Sequence, residues 1–309
     1  MTMPACFVGC DVGKNDIAVF FSASATSVML ANRPEALARF ARSLDPACLV
    51  VCEATGGYEA ALLEALHAAG IACHRADARK VKAFIRSLGT LAKTDAIDAR
   101  ALARYGAERH DRLERWRPQP EDQQRLQALV TTRRDIVAAR TAWSNRCKAP
   151  TAQGIAPLLD PIVATFQTQL RAIDQAIAAL VHAGRLAARA ARLQAIPGIG
   201  AVTAYSLLAL MPELGSLSRR QAASLAGLAP HPRQSGARDA YRRVRGGRPA
   251  VRQALFMAAL AAVRANPQLK SFYQRLIANG KKPIVALTAA MRKLIVIANA
   301  RMRDQLSAI

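Results

Sequence analysis

Residues 5–31 read "ACFVGCDVGKNDIAVFFSASATSVMLA", and this stretch decides the fold. "CFVGCD" and "IAVFF" are short runs of β-branched, aromatic and small apolar residues on either side of the turn residues "GKND", and a third run follows near "SVMLA". Three strands in succession predict an antiparallel meander.

Working outward, a helix is expected over "PEALARFARSL" (34–44), with Asn32 and Glu35 at capping-box spacing and Pro34 in the first turn. The strand "CLVVCE" follows, then a helix from about Tyr58 to Ala69, a strand "IACHRA", a helix after Asp77 and another from about Thr94. The order β-β-β-α-β-α-β-α is that of a ribonuclease H-like mixed sheet, and it sets a first domain at 1–115. After "WRPQPED" strand signals disappear, so 116–194 reads as a helical connector. Within it Leu159, Val163, Phe166, Leu170, Ile173, Ile177 and Leu180 alternate by four and three, the spacing of a coiled-coil seam. Such a seam needs a partner helix. Residues 121–147 could supply it as a hairpin broken near "APTAQGIAP", although Arg133 and Arg140 interrupt their apolar positions, or a second subunit could, making a homo-oligomer. A third, helical domain is expected over 195–309, starting at "IPGIGAVTAYSLLAL" like a helix-hairpin-helix element. Gly198 and Gly200 there could let backbone N–H groups approach a phosphate, or could serve a purely structural turn.

The chain carries 44 Lys and Arg against 21 Asp and Glu, a formal net charge of +23. That excess points to a phosphate-rich partner, with nucleic acid the best fit. No signal peptide is recognisable, and the apolar stretch "PIVALTAAMRKLIVIANA" is broken by Arg292 and Lys293, so a buried helix and a cytoplasmic location are expected, nucleoid-associated when acting, with no membrane partner. Six cysteines include no CxxC pair. Cys6, Cys10, Cys48 and Cys52 could share a sheet face and bind zinc if their strands pair in parallel, but small core residues are the simpler reading.

"LAKTDAIDARALARYG" (91–106) places Asp95 and Asp98 on one helix face in this cationic chain. Asp11 ends the first strand and Glu53 ends "CLVVCE". In a ribonuclease H-like sheet these strands are parallel neighbours, so the carboxylates share a face and all four could converge. Such a cluster repels itself unless hard cations bind, and one or two Mg²⁺ ions are expected, able to activate a nucleophile and stabilise a leaving oxygen at a phosphodiester. The alternative is a solvated helix start in which Lys93 and Arg100 balance the two aspartates. Asp16 reads as a surface residue and Asp77 as a helix cap, His67 and His74 as structural, and "GCDVGKN" fails as a Walker A loop.

The second chemical candidate is Ser235 in "GLAPHPRQSGARDAYRRVRGGRPAVRQALF", surrounded by Arg233, Arg238, Arg242, Arg243, Arg245 and Arg248. Arginine forks could hold a scissile phosphate there. Taken in order, "GCDVGKNDIAVFF", "VVCEATGGYEAALLEAL", "KTDAIDARALARYG", "IPGIGAVTAYSLLAL" and "GLAPHPRQSGARD" resemble the insertion sequence 110 family of DEDD transposases, bridge-RNA-guided DNA recombinases, over nearly the whole chain. The resemblance implies a Holliday-junction-resolvase-like domain with its DEDD set on Asp11, Glu53, Asp95 and Asp98. It further implies a C-terminal transposase domain with a nucleophilic serine at Ser235, a 5′-phosphoserine intermediate, donor and target DNA, and a guide RNA. Two other readings stay open: a junction nuclease using the metal site and water, and a non-catalytic nucleic-acid-binding protein.

Overall fold

The computed structural model describes residues 4, 6–89, 94–152, 154–235 and 238–303, with the side chains of 232–242 left out. The chain divides into two compact units, Met1–Gln119 and Pro120–Ile309.

In the first unit the expected meander forms β1 (Cys6–Val12), β2 (Asp16–Phe21) and β3 (Thr26–Ala31). Then come α1 (Pro34–Ser43), β4 (Cys48–Glu53), α2 (Ala60–Ala68), β5 (Ala72–Ala76), α3 (Ala78–Ser87) and α4 (Asp95–Arg109). The sheet order is β3-β2-β1-β4-β5, antiparallel across β1, β2 and β3 and parallel across β1, β4 and β5. Period-two alternation explains its two buried faces. Val8, Cys10, Val50 and Cys52 pack against Leu37 and Phe40 of α1 and Leu62 and Leu66 of α2. Phe7, Leu49 and Val51 pack against Phe84 of α3 and Leu102 and Tyr105 of α4. Asp77 caps α3, its side chain accepting from the backbone N–H groups of Arg79 and Lys80. The capping box expected at α1 is absent. Arg33 is the N-cap without a side-chain bond, because Asn32 instead donates from Nδ2 to the carbonyls of Gly13 and Tyr58.

The second unit opens with a hairpin of two long helices, α5 (Glu121–Cys147) and α6 (Ala156–His182), joined through a 3₁₀ turn at Pro150–Ala152. The chain thus supplies its own partner for the α6 seam. Leu126 and Val130 of α5 and Ile177 and Val181 of α6 belong to the same core as the C-terminal helices, so the hairpin clusters with them rather than standing alone. Arg133, an interruption in the sequence pattern, forks onto Asp174 of α6 at 2.5 and 3.2 Å, which is why a cation is tolerated on that face.

Next come α7 (Ala187–Gln194), α8 (Ala201–Leu210), α9 (Arg219–Leu225), β6 (Pro230–Ser235), β7 (Arg238–Val244), α10 (Pro249–Ala265), α11 (Pro267–Ala278) and α12 (Pro283–Arg303). The expectation of a wholly helical C-terminal region is corrected by β6 and β7, an antiparallel two-stranded hairpin. Proline and arginine hide it in the sequence, yet a two-stranded ribbon consists only of edges, where a proline need not donate to a ladder. Helix α12 is long and apolar enough to cross a membrane. Its apolar stripe, including Leu287, Met291, Leu294 and Ile295, is buried in the core of this unit, while Arg292 and Lys293 are exposed on the other face. That is the burial pattern of a core helix.

Candidate functional site

Cys10 pairs with Cys52 as the last position of the parallel β1–β4 register, so Asp11 and Glu53, the next residue on each strand, follow side by side. Alternation puts them on the face of Phe7 and Gly9 and of Leu49 and Val51, the face that α4 covers. Both are half-buried, and each has a polar or ring partner.

Gly9 fixes where α4 lies. A Cβ on Gly9 would sit 1.9 Å from the carbonyl oxygen of Ala99 and 2.5 Å from the nitrogen of Ala103, so helix and strand meet backbone to backbone. Further along, a Cβ on Gly106 would come within 2.9 Å of Val51 Cγ2 and 3.4 Å of Phe7 Cδ1. Moving from Gly106 to Ala99, α4 therefore tracks β1 from Phe7 to Gly9, and its first turn, with Asp95 and Asp98, lies toward the Asp11 end. Thr94 caps that turn by accepting from Ile97 N at 3.3 Å. Asp98 is half-buried and Asp95 exposed. Of the two cations expected to balance the aspartates at a solvated helix start, the Arg100 guanidinium lies 5.0 Å from the centroid of the Phe20 ring, and Lys93 falls outside the described residues.

The four carboxylates thus come from three elements at one end of the sheet. Among the described residues, however, no group of three or more His, Cys, Asp or Glu side chains stands close enough to hold a metal ion. The donor chemistry fits a hard divalent cation, since every candidate ligand is a carboxylate oxygen. The cysteines are core residues. The parallel pairing sets Cys6 beside Cys48 and Cys10 beside Cys52, and Cys10, Cys48 and Cys52 are buried in the sheet, where burial pushes their thiols up. His67 stacks edge-on with Trp116, and His74 bonds the Glu114 carbonyl at 2.7 Å, both structural as expected.

Sequence reasoning missed Glu59 and Arg75. Glu59 is 2% exposed. Its Oε1 takes Arg75 Nε at 2.7 Å and Nη2 at 2.6 Å, and its Oε2 accepts from Thr55 N, Thr55 Oγ1 and Gly57 N at 3.1, 3.3 and 2.9 Å. Burial raises its pKa, but the backbone hydrogen bonds and Arg75 outweigh that and leave it below the ordinary carboxylate value. Its one signal was a second acid six residues after Glu53 in "EATGGYE".

Ser235 is the last residue of β6, paired with Arg238 at the start of β7; Gly236 and Ala237 between them lie outside the described residues. The side chains of Ser235, Arg233, Arg238 and Arg242 lie outside the described ones as well. Arg243 and Arg245 are exposed. Arg248 differs from expectation. Its guanidinium forks onto Glu213 at 2.6 and 2.9 Å and donates to the Leu210 carbonyl at 2.6 Å, so its donors anchor the base of the hairpin rather than facing outward for a phosphate. The two ends of the hairpin cross at glycines. A Cβ on Gly247, at φ +62°, would lie 2.2 Å from Gly227 N, and one on Gly227 would lie 2.5 Å from the Gly246 carbonyl. Gly198, at φ +101°, packs so tightly on α10 that a Cβ would fall 2.4 Å from Ala262 Cβ; Gly200 caps α8 with open space beside it.

Comparison with known proteins bears on the whole arrangement. A DEDD transposase model of the IS110 type matches residues 8–155, and a model described as "Transposase IS116/IS110/IS902 family" matches residues 190–274. The pilin gene-inverting protein of Moraxella lacunata is 35% identical over 236 residues, covering 72% of this chain and 70% of that one. The chain belongs to the IS110 family of transposases. A pilin gene-inverting protein of Moraxella bovis is equally similar, and an IS110 insertion element protein of Streptomyces coelicolor is 32% identical over 152 residues, 48% of this chain and 37% of its own length. This IS110 transposase is accordingly a DNA-recombining enzyme of an insertion sequence. Its two family matches fall on the sheet with its carboxylates and on the region with the serine hairpin. Membership of a DEDD family also suggests that it uses a divalent metal.

Proposed function

We propose that this transposase cuts and rejoins DNA with a ribonuclease H-like carboxylate site and a serine nucleophile. The strand order β3-β2-β1-β4-β5 and the register that sets Asp11 beside Glu53 under the first turn of α4 support the reading most directly. Asp11, Glu53, Asp95 and Asp98 would hold Mg²⁺, which when bound supplies charge neutralisation at the scissile phosphate. Asp11 and Glu53 are fixed by a buried sheet, whereas Asp95 and Asp98 ride on one helix turn, so small adjustments of that turn tune the ligand set.

At the other motif the Ser235 Oγ attacks phosphorus. One Oγ–P bond forms and the P–O3′ bond breaks, giving a 5′-phosphoserine and a free 3′-hydroxyl, with the serine proton ultimately matched by the proton taken up by the leaving oxygen. Attack by another strand's 3′-hydroxyl reverses the step and completes exchange. The exposed Arg243 and Arg245, together with Arg233, Arg238 and Arg242, would contact the phosphate backbone, and Gly200, with open space beside it at the start of α8, would let that helix start approach one, whereas Gly198 is accounted for by its packing on α10. The relatives' name, gene inversion, supports strand exchange over simple cutting. A bridge RNA would supply target choice, action would be cytoplasmic, and a homo-oligomer would assemble each site from an Asp11 and a Ser235 on different subunits. The exposed Leu158, at 75%, near the tip of the α5–α6 hairpin supports self-association there.

The test is denaturing electrophoresis of the protein with end-labelled donor and target DNA and the RNA encoded beside its gene. A covalent protein–DNA adduct that disappears in Ser235→Ala and in Asp11→Ala is expected. Nicking that survives Ser235→Ala would make the enzyme a water-using nuclease, and adducts unchanged in Asp11→Ala would remove the metal site from the mechanism. Mixing the two inactive variants tests assembly in trans, with restored adduct as the expected result.

A further inference from the structure

The loop that follows Glu53 is built more rigidly than a connection between a strand and a helix requires. It runs Ala54, Thr55, Gly56, Gly57, Tyr58 before reaching Glu59. Glu59 clamps it from below through three hydrogen bonds from Thr55 and Gly57, and Arg75 on β5 holds Glu59 in turn. Asn32 clamps it from the side. By donating to both Tyr58 O and Gly13 O, at 3.2 and 3.0 Å, it ties the loop to the turn that starts two residues after Asp11. The loop therefore crosses the end of the sheet beside both strand-borne carboxylates.

Its outer surface is unusual. Gly56 and Gly57 have φ of +76° and +107°, a conformation glycine adopts at little cost and side-chain-bearing residues do not, and nothing lies within 4 Å of the place a Cβ would take on either. Packing does not explain them, and the space above them is open. Between that space and α2 stands Tyr58, 48% exposed, an aromatic ring with a polar tip in a protein of net charge +23. Bare backbone that a sugar-phosphate chain can approach, an exposed ring for stacking and a buried clamp beneath form the working parts of a single-strand contact.

We propose that residues 55–58 are a preformed contact for the DNA strand engaged at the carboxylate end of the sheet, with Tyr58 stacking on a base and Glu59, held by Arg75, as the positioning residue. This rests on reading that sheet end as the DNA-cutting site. Glu59 touches no substrate; it sets the loop that does.

Fluorescence anisotropy of the full chain with a fluorescein-labelled, mixed-sequence oligonucleotide in EDTA separates the two ideas, since binding without metal does not depend on the chemistry of the carboxylates. Tyr58→Ala should weaken single-stranded DNA binding about tenfold, Tyr58→Trp should keep it and show indole quenching on DNA addition, and the melting temperature should not move in either. Glu59→Gln should weaken binding by a similar factor. The double variant should be no weaker than Tyr58→Ala alone, a coupling that a merely structural acid would not show. Should Glu59→Gln fail to fold, Arg75→Lys, which keeps the charge and loses the fork, takes its place in the cycle. Wild-type affinity in Tyr58→Ala, or weakening confined to an RNA of the same sequence, overturns the proposal and leaves the carboxylate reading standing. Asp11→Asn that still forms adducts overturns the carboxylate reading, whatever Tyr58 does.

Discussion

The carboxylate end of the sheet and the serine hairpin are held in opposite ways. Asp11 and Glu53 sit on two adjacent interior strands of a five-stranded sheet with helices on both faces, so their backbone positions are set by Val8, Cys10, Val50 and Cys52 on one side and by Phe7 and Val51 on the other. Ser235 ends a two-stranded ribbon whose base is held where Gly227 meets Gly246 and Gly247 and where Arg248 grips Glu213. One site is positioned by burial in a sheet between helices, the other by backbone-to-backbone glycine contacts and an ion pair at the base of its hairpin. On the proposed reading, Asp11 and Glu53 as metal ligands need fixed geometry before substrate arrives.

The largest expected effect follows from breaking the first mode. Gly9→Val puts side-chain atoms where the α4 backbone already is, and backbone cannot turn aside as a side chain can, so a loss of about 3 kcal/mol or more is expected. Thermal unfolding should show the first unit melting earlier, and adduct formation should vanish. A Gly9→Val protein that melts like wild type would mean that α4 is not seated on β1. Breaking the second mode should cost less. Gly247→Ala imposes both a strained φ of +62° and a clash with Gly227, about 2 kcal/mol in the second unit. It should abolish the serine adduct while leaving DNA binding within about twofold, as read by gel shift on the same protein.

These residues also mark where the sequence was legible. The sheet was, because alternation in "CFVGCD" and "CLVVCE" states which face is buried and register follows from parallel pairing. The strand-end carboxylates were readable for the same reason. The hairpin was not, since Pro230, Pro232 and a run of arginines obey no period that an edge-only ribbon must keep. Asn32 misled because its spacing to Glu35 fits a capping box while its real partners are Gly13 and Tyr58, distant along the chain. Arg248 misled because an arginine's partner is not visible from composition, and Glu213 stands 35 residues away. Long-range polar pairs leave no local pattern.

Two such pairs allow a smaller and sharper comparison. Glu59 and Glu213 each accept an arginine fork, but Glu59 is 2% exposed and Glu213 39%. For each, burial raises the pKa, and hydrogen bonds with the arginine's help more than reverse it, leaving both below the ordinary value. A carboxylate whose folded pKa is depressed stabilises the fold above its unfolded pKa and loses that contribution as pH falls through the folded one. Both pairs should therefore hold at neutral pH and fail in acid. Glu59→Gln should cost about 2 kcal/mol at pH 7, because its loop donors lose a charged acceptor in a dry place, and Glu213→Gln under about 1 kcal/mol, since water screens that pair. Urea unfolding at pH 7 and again below pH 4 checks both. The gap between each variant and wild type should narrow in acid, and a gap that widens would reverse the assigned direction.

The smallest effect probes the one part of the carboxylate site that burial does not fix. Thr94 accepts a hydrogen bond from Ile97 N and so closes the first turn of α4, the turn that carries Asp95 and Asp98. Removing an N-cap hydroxyl costs about 1 kcal/mol, little beside the core of the first unit, so Thr94→Ala should scarcely shift its melting. On the proposed reading, fraying that turn matters because it carries Asp95 and Asp98, the ligands that would join Asp11 and Glu53. The expected signature is a higher Mg²⁺ concentration for half-maximal adduct formation, about threefold, with the plateau at saturating Mg²⁺ retained. An unchanged Mg²⁺ requirement would say that the helix start does not help place Asp95 and Asp98. A lowered plateau with an unchanged requirement would move the role of this turn from holding the cation to the step that follows.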